Sequence, residues 1–193
     1  ISFFKQKDQM KQILVLIFYY SGIIGIMTML KPYLVDLGYN VKEIAFMSGI
    51  FGTLTAALAT LVGGFLMRKT DRKFTLFIFL FVTLIAGIYF RILSGIVPSI
   101  TELYIGVGLI WSAYGFSTVG IYTISMDTVR KGREGTDFTI QIVITHLCSL
   151  LVATASGKIA NEFGYTGLFS FEVLITLFTF LILMYALPRK SMI

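Results

Sequence analysis

Two ionisable side chains lie inside apolar stretches of this sequence, where a charge is costly and usually functional. His146, the only histidine, either carries a proton, since its charge changes near physiological pH, or bonds a neighbouring helix as a neutral ring. Glu172 lies roughly 9 Å inside the last apolar stretch, counted at the rise of an α-helix. Arg91 lies at a similar depth, so we expect Glu172 either to pair with Arg91 or to serve as a proton site.

A set of polar side chains recurs every fourth residue and therefore shares one face of a helix. Its members are Asp137, Gln141, Thr145 and Ser149. Because a polar stripe facing lipid would be costly, we expect it to line a cavity, with Gln141, Thr145 and Ser149 touching a substrate. The alternative is that hydroxyl groups bond to their own helix and only hold helices together.

Aromatic side chains and one lysine extend this candidate binding surface. Tyr20, Trp111 and Tyr114 lie too deep for the aromatic belts at membrane boundaries, so we expect them to stack on a substrate. Lys31 either reaches the outer interface or contacts an anionic substrate. Pro32, which follows it, should bend the helix there.

The sequence lacks the patterns of an enzyme or a metalloprotein. It has no phosphate-binding loop, no spaced cysteine and histidine ligands, and no nucleophile–histidine–acid grouping. His146 and the single cysteine, Cys148, are two residues apart and do not face each other on a helix. We therefore expect no catalysis, no cofactor and no metal.

Composition indicates an integral membrane protein. Of the 193 residues 56% are apolar, and the mean hydropathy is +0.86. Only 13% are charged, whereas a soluble domain carries about a quarter. The net charge of +6 follows from loop composition, so it does not indicate nucleic-acid binding.

Six apolar runs are each long enough to cross a bilayer as a helix. We predict helix 1 over 12–35, helix 2 over 41–67, helix 3 over 74–94, helix 4 over 101–127, helix 5 over 137–160 and helix 6 over 167–187.

Twelve of the sixteen lysines and arginines lie before helix 1, in the links at 68–73 and 130–133, and after helix 6. The positive-inside rule places these segments and both termini in the cytoplasm. We expect residues 1–11 to be a cytoplasmic linker within a longer protein, 12–187 the transmembrane unit, and 188–193 a cytoplasmic tail.

The basic link after helix 2 resembles the loop signature of the major facilitator superfamily, G-x-x-x-D-R/K-x-G-R/K-R/K. Gly64 and Arg72 occupy pattern positions, whereas Arg68 replaces the acidic residue and Asp71 replaces a glycine. This link lies at the membrane surface, away from a site in the middle of the membrane. We therefore expect its residues to control opening of the substrate pathway and not to bind substrate; they are Gly64, Arg68, Asp71 and Arg72.

A second charge cluster lies between helices 4 and 5 and consists of Asp127, Arg130, Arg133 and Asp137. These charges could hold two helices together in one state and release them in another. Alternatively they only cap helix ends and remain solvated.

The segment from Gly135 to Gln141 resembles the link between the fourth and fifth helices in the C-terminal half of two superfamily branches. One branch comprises siderophore importers of the bacterial inner membrane. The other comprises muropeptide permeases and their acetyl-coenzyme A transporter relatives. The segment from Ser156 to Phe169 also resembles the superfamily's link between this helix and the next.

These resemblances imply an all-α membrane fold, the C-terminal six-helix half of a superfamily member, built from two three-helix repeats. They imply that helices 1, 2, 4 and 5 surround a cavity shared with an N-terminal half, while helices 3 and 6 face lipid. The expected function is proton-coupled import of an iron–siderophore complex across the inner membrane by alternating access. A muropeptide or other bulky conjugate is the alternative substrate, and a non-transporting membrane scaffold is the alternative of another class.

Overall fold

The computed structural model of the chain describes residues 9–186, which form helices joined by short links. Helix 1 has two segments, Gln9–Tyr19 and Ser21–Asp36; helix 2 comprises Val41–Ile44, Ala45–Phe51 and Gly52–Lys69; helix 3 is Arg72–Leu93; and helix 4 is Ile100–Asp127. The last run, Glu134–Ala186, contains a kink at Gly164, whose φ of 67° is not helical, so it holds helix 5 (134–163) and helix 6 (165–186).

The six-helix, all-α fold predicted from hydropathy is confirmed. In the described part of the chain five helical stretches are long and apolar enough to cross a bilayer, and the last of them contains helices 5 and 6. Helix 1 begins at Gln9, inside the expected linker. Residues 1–8 and the tail at 188–193 lie outside the described residues, so the linker and the tail stay predictions.

Local sequence explains where several helices begin. Helix 4 starts with a capping box, in which Ser99 and Glu102 bond each other's backbone N–H groups. Asn40 and Glu43 form the same arrangement at the start of helix 2. Such reciprocal bonds satisfy N–H groups that the first helical turn leaves without partners.

Two backbone irregularities differ from expectation. Helix 1 is interrupted at Tyr20, a position that the sequence did not indicate, and Pro32 lies inside its outer segment, so the expected bend at Pro32 stays a prediction. The part of helix 2 that follows its first turn, Ala45–Phe51, is π-helical, a geometry that local insertions in helices adopt and that the residue pattern did not indicate.

Helix 1 is the most buried of the candidate spans, with 61% of its apolar window covered by the rest of the bundle. Two tyrosine hydroxyls fix it to helix 3: Tyr19 donates to the carbonyl of Leu76 at 2.9 Å, and Tyr33 to that of Leu93 at 3.1 Å. In an apolar medium such bonds satisfy groups that water cannot reach.

Helices 2 and 4 pack closely through small residues. A Cβ atom added at Gly115 of helix 4 would lie 2.5 Å from the carbonyl oxygen of Ala56, and one added at Gly52 would overlap the indole of Trp111. Small residues permit this approach of backbones, which is a main source of helix association in lipid.

Helices 3 and 6 each present one apolar face outward. The exposed side chains are Phe74, Ile78, Phe81, Ile85, Ile88 and Ile92 on helix 3, and Leu174, Leu177, Phe178, Leu181 and Met184 on helix 6. Helices 2 and 5 expose comparable apolar faces, including Leu54, Leu58, Leu61, Leu147 and Leu151. Outward apolar surface therefore does not by itself distinguish lipid-facing helices from helices that face a second half.

Candidate functional site

A salt bridge connects two of the predicted gating residues. Arg72 Nε lies 2.7 Å from Asp127 Oδ2, and the two side chains are 48% and 40% exposed. Because Arg72 begins helix 3 and Asp127 ends helix 4, the pair joins the two basic links at one end of the bundle.

Asp71 has a different position from the acid of the superfamily signature. Its carboxylate accepts a hydrogen bond from the backbone N–H of Phe74 at 3.0 Å and caps helix 3. Arg68 is exposed, and a Cβ atom added at Gly64 would meet open space. In this structure Gly64 is therefore not required for a close helix contact.

Arg130 and Asp137 form a two-pronged ion pair across the link between helices 4 and 5. Arg130 Nε donates to Asp137 Oδ2 at 2.7 Å and Nη2 to Oδ1 at 2.6 Å, while the Arg130 backbone N–H donates at 3.1 Å. These bonds raise the pKa of Arg130 above its ordinary value. The backbone carbonyl of Arg133 accepts a hydrogen bond from the backbone N–H of Asp137 at 2.9 Å. Asp137 is therefore bonded to two residues of the link between helices 4 and 5.

The other basic segments reach the same end of the bundle. Lys11 Nζ lies 5.3 Å from the centroid of the Tyr185 ring, and Lys73 Nζ donates to the carbonyl of Met184 at 3.2 Å. Contacts thus bring the beginning of helix 1 and the end of helix 6 to the end where Arg72 meets Asp127. The clustering of basic segments matches the charge asymmetry in the sequence.

Gln141 is enclosed in a polar network. Its Oε1 accepts from Gln12 at 3.3 Å and from Thr128 at 3.0 Å, and its Nε2 donates to the carbonyl of Ser125 at 3.0 Å. The side chains of Asp137 and Gln141 are fully buried, and Thr145 is 3% exposed. In this structure these three residues face helices of the same bundle, and the expectation that the stripe lines an open cavity stays a prediction.

The hydroxyl groups of the stripe bond to their own helix, which was the alternative reading. Thr145 Oγ1 donates to the carbonyl of Gln141 at 3.0 Å, and Ser149 Oγ to that of Thr145 at 2.9 Å. Ser149 is only half-buried, and His146 is exposed on the adjoining face. A role of Ser149 or His146 in binding or proton transfer stays a prediction.

The three deep aromatic residues do come together. Tyr114 lies edge-on to both Tyr20 and Trp111, with ring centroids 6.0 Å apart in each pair. Tyr20 is buried, and its hydroxyl is 2.5 Å from Thr118 Oγ1. Trp111 and Tyr114 are half-buried. We name Tyr20, Trp111 and Tyr114 the aromatic cluster. Lys31 is exposed on the outer segment of helix 1, apart from this cluster.

The expected pair between Arg91 and Glu172 is wrong. Arg91 Nε donates to Ser170 Oγ at 2.8 Å, whereas Glu172 Oε1 accepts from Ser156 Oγ at 2.9 Å. Similar depth did not bring the two charges together, because the rotation of each helix turns Arg91 outward and Glu172 inward.

Several of the surrounding residues were missed by the sequence analysis. Gln12 completes the Gln141 network, and Ser156 and Gly25 lie against Glu172. A signal did exist: Gly22 and Gly25 recur at helical spacing, as do Glu172 and Thr176 on the opposing helix. Small residues opposite polar residues are typical of close helix contacts in membranes.

Comparison with known proteins agrees with this architecture. A family profile described as Major Facilitator Superfamily matches residues 12–192. The chain belongs to this superfamily. Its six helices are therefore half of a superfamily fold, and the protein is a multi-pass membrane protein from a family of transporters.

Two curated relatives from Rickettsia are similar to this chain. "Putative transporter AmpG 4" of Rickettsia conorii is 25% identical over 95% of this chain and 44% of its own length. "Putative transporter AmpG 1" of Rickettsia bellii is 28% identical over 81% of this chain and 38% of its own length. This superfamily member thus spans less than half of the relatives it matches.

Proposed function

We propose that the chain is one half of a secondary transporter that moves its substrate by alternating access. The observation that carries the proposal is the aromatic cluster, which helices 1 and 4 place deep in the apolar region. Trp111 lies roughly 17 Å along helix 4 from its first residue. A half-buried surface of rings at that depth is suited to a substrate site between two halves.

A second six-helix half completes the proposed cavity. The match of this chain to less than half of its relatives supports this composition, because two such units make up a superfamily fold. The buried polar groups at Gln141 and Glu172 are a cost that an inert scaffold does not need to bear, which disfavours the scaffold alternative.

The proposed substrate is a bulky conjugate of the muropeptide class. The segment from Gly135 to Gln141 resembles two branches, and relatives named AmpG favour the muropeptide-permease branch. The iron–siderophore complex expected from the sequence remains the second candidate, supported by the same segment alone. Protons are the proposed coupling ion for either substrate.

The proposed location is the bacterial inner membrane, with both termini in the cytoplasm. The clustering of basic segments at one end supports this orientation, since such segments are retained on the cytoplasmic side. Arg72 with Asp127 and Arg130 with Asp137 lie at that end, where we propose that they gate access from the cytoplasm.

Ligand-dependent stability of the full-length protein tests the substrate class. An anhydromuropeptide at about one hundred times its Kd should stabilise the folded state by about 2.7 kcal/mol and raise the melting temperature. A ferric siderophore at the same concentration should leave the melting temperature unchanged. Stabilisation by the siderophore alone would reverse the order of the two candidates.

A further inference from the structure

We propose that Glu172 is a proton-binding site whose protonation state controls how the outer segment of helix 1, Ser21–Asp36, packs against helices 5 and 6. The inference rests on the proposed function in one respect, because the bound proton would be the ion that drives transport.

The surroundings of the Glu172 carboxyl favour binding of a proton. The side chain is fully buried. Oε1 accepts one hydrogen bond, from Ser156 Oγ at 2.9 Å, and Oε2 has no hydrogen-bond partner among residues 9–186. A buried carboxylate with one donor is poorly stabilised in an apolar medium. Transfer of a proton from a hydronium ion of the aqueous phase to Oε2 forms an O–H bond, leaves a water molecule, removes the charge and involves no electron transfer.

The charged residues on the surrounding helices do not neutralise this carboxyl. Arg91 of helix 3 donates to Ser170, two residues before Glu172 on helix 6. Lys31 of helix 1 and Lys158 of helix 5 are both exposed. Within the described residues Glu172 forms no ion pair. His146, the other candidate proton carrier, is ten residues from Ser156, roughly 15 Å along helix 5.

The backbone of helix 1 lies directly against the carboxyl. A Cβ atom added at Gly25 would overlap Glu172 Oε1 and would lie 2.6 Å from Ser156 Oγ. One added at Gly22 would likewise overlap Oγ1 of Thr176. Helix 1 therefore packs on the Glu172 carboxyl through Gly25 and on the neighbouring Thr176 through Gly22. In the proposal, water reaches the carboxyl when this contact opens.

Helix 1 has a one-residue interruption at Tyr20, whose φ of −87° and ψ of −21° stay in the helical region, and we place the pivot of such a movement there. The carbonyl of Phe18 accepts from Ser21 Oγ at 2.6 Å and from Thr179 Oγ1 at 3.1 Å, next to the break at Tyr20. The inner segment is held separately, through Tyr19 and the carbonyl of Leu76. The outer segment is fixed to helix 3 through Tyr33 and the carbonyl of Leu93, so the proposed shift of that segment breaks this bond while the inner segment stays in place.

The break also connects the proton site to the aromatic cluster. Tyr20, at the break, touches Tyr114 and shares a hydrogen bond with Thr118. Loss of the proton at Glu172 requires solvation of the carboxylate, so the outer segment moves away from helices 5 and 6. That movement displaces Tyr20 and alters the proposed substrate surface.

Infrared difference spectroscopy of the full-length protein during a pH titration tests the site directly. We expect a carboxylic C=O band that shifts in D2O, is lost in Glu172→Gln and is kept in Glu162→Gln, a change at an exposed glutamate of helix 5. Ser156→Ala, which removes the one donor, should shift the band without abolishing it. An unchanged band in Glu172→Gln would overturn the assignment.

Hydrogen exchange tests the proposed movement of helix 1. If Glu172 had only a structural role, the exchange rates would not depend on its protonation. After correction for the pH dependence of exchange in an unstructured chain, the backbone amides of residues 21–36 should exchange about tenfold faster when Glu172 is ionised than when it is protonated. Glu172→Gln should show the slow rate at both pH values, and Gly25→Ala the fast rate. A pH response that persists in Glu172→Gln would contradict the proposal. Neither measurement needs substrate, so normal uptake without these signals would overturn this inference and leave the transport proposal standing.

Discussion

Arg72 Nε lies 2.7 Å from Asp127 Oδ2 and joins the start of helix 3 to the end of helix 4. Asp71, one residue earlier, caps helix 3 and takes no part in this pair. The acidic residue of this link therefore caps the helix that follows it, whereas Arg72 makes the contact between helices 3 and 4.

Removal of this contact is predicted to slow transport without weakening substrate binding. In Arg72→Ala the half-exposed pair is lost, which costs at most about 1 kcal/mol of stability. Uptake kinetics should show a lower turnover with an affinity changed less than about threefold, under roughly 1 kcal/mol. Arg68→Ala, in the same link, is the control and should be milder. A large loss of affinity with normal turnover would refute the gating role.

Asp137→Asn is predicted to lower the melting temperature of the full-length protein. The buried carboxylate accepts three N–H groups of Arg130, and an amide presents one weaker acceptor and an N–H₂ group instead. Thermal unfolding in detergent measures the effect, with Glu162→Gln as the exposed control. Equal melting temperatures for both variants would show that the pair does not stabilise the link.

The orientation in the membrane is tested by labelling single cysteines in a Cys148→Ser background. Cysteines at Asn40, Ser99 and Asn161, all exposed at the end opposite the basic links, should react with an impermeant thiol reagent added to intact cells. A cysteine at Thr70, exposed in the basic link, should react only after the membrane is opened. Labelling of Thr70 in intact cells would reverse the topology.

Thr145→Trp is predicted to impair folding, because Thr145 is only 3% exposed and a larger side chain must displace its neighbours. Overpacking of this kind typically costs about 1–3 kcal/mol. Leu177→Trp is the matched control, since Leu177 is 45% exposed on helix 6. Melting temperature and monodispersity are the measurements. If Thr145→Trp folds normally and only uptake is lost, Thr145 does line the cavity.

Helix positions could be predicted from the sequence because each depends on local properties. Apolar runs set the spans, and residues such as Ser99 and Asp71 set the starts, so the bounds fell within three residues of those observed. The kink at Gly164 falls in the predicted gap between helices 5 and 6, where a positive φ suits glycine.

Partners across helices could not be predicted in the same way. Helical spacing placed Gln141 and Thr145 on one face, yet nothing in that spacing specifies which helix covers the face. Similar depth suggested that Arg91 and Glu172 meet, but the rotation of each helix depends on packing at distant positions. Gly25, which adjoins Glu172, lies 147 positions earlier in the chain.

Uptake by the full-length protein in proteoliposomes tests the central claim most directly. With an anhydromuropeptide as probe and an inward proton gradient, we predict saturable accumulation that collapses when the gradient is removed. Trp111→Ala should raise the KM, because it removes a ring of the aromatic cluster, whereas Leu177→Ala should leave it unchanged. If well-folded protein of confirmed orientation accumulates neither the muropeptide nor a ferric siderophore, the chain is not half of a transporter for these substrates.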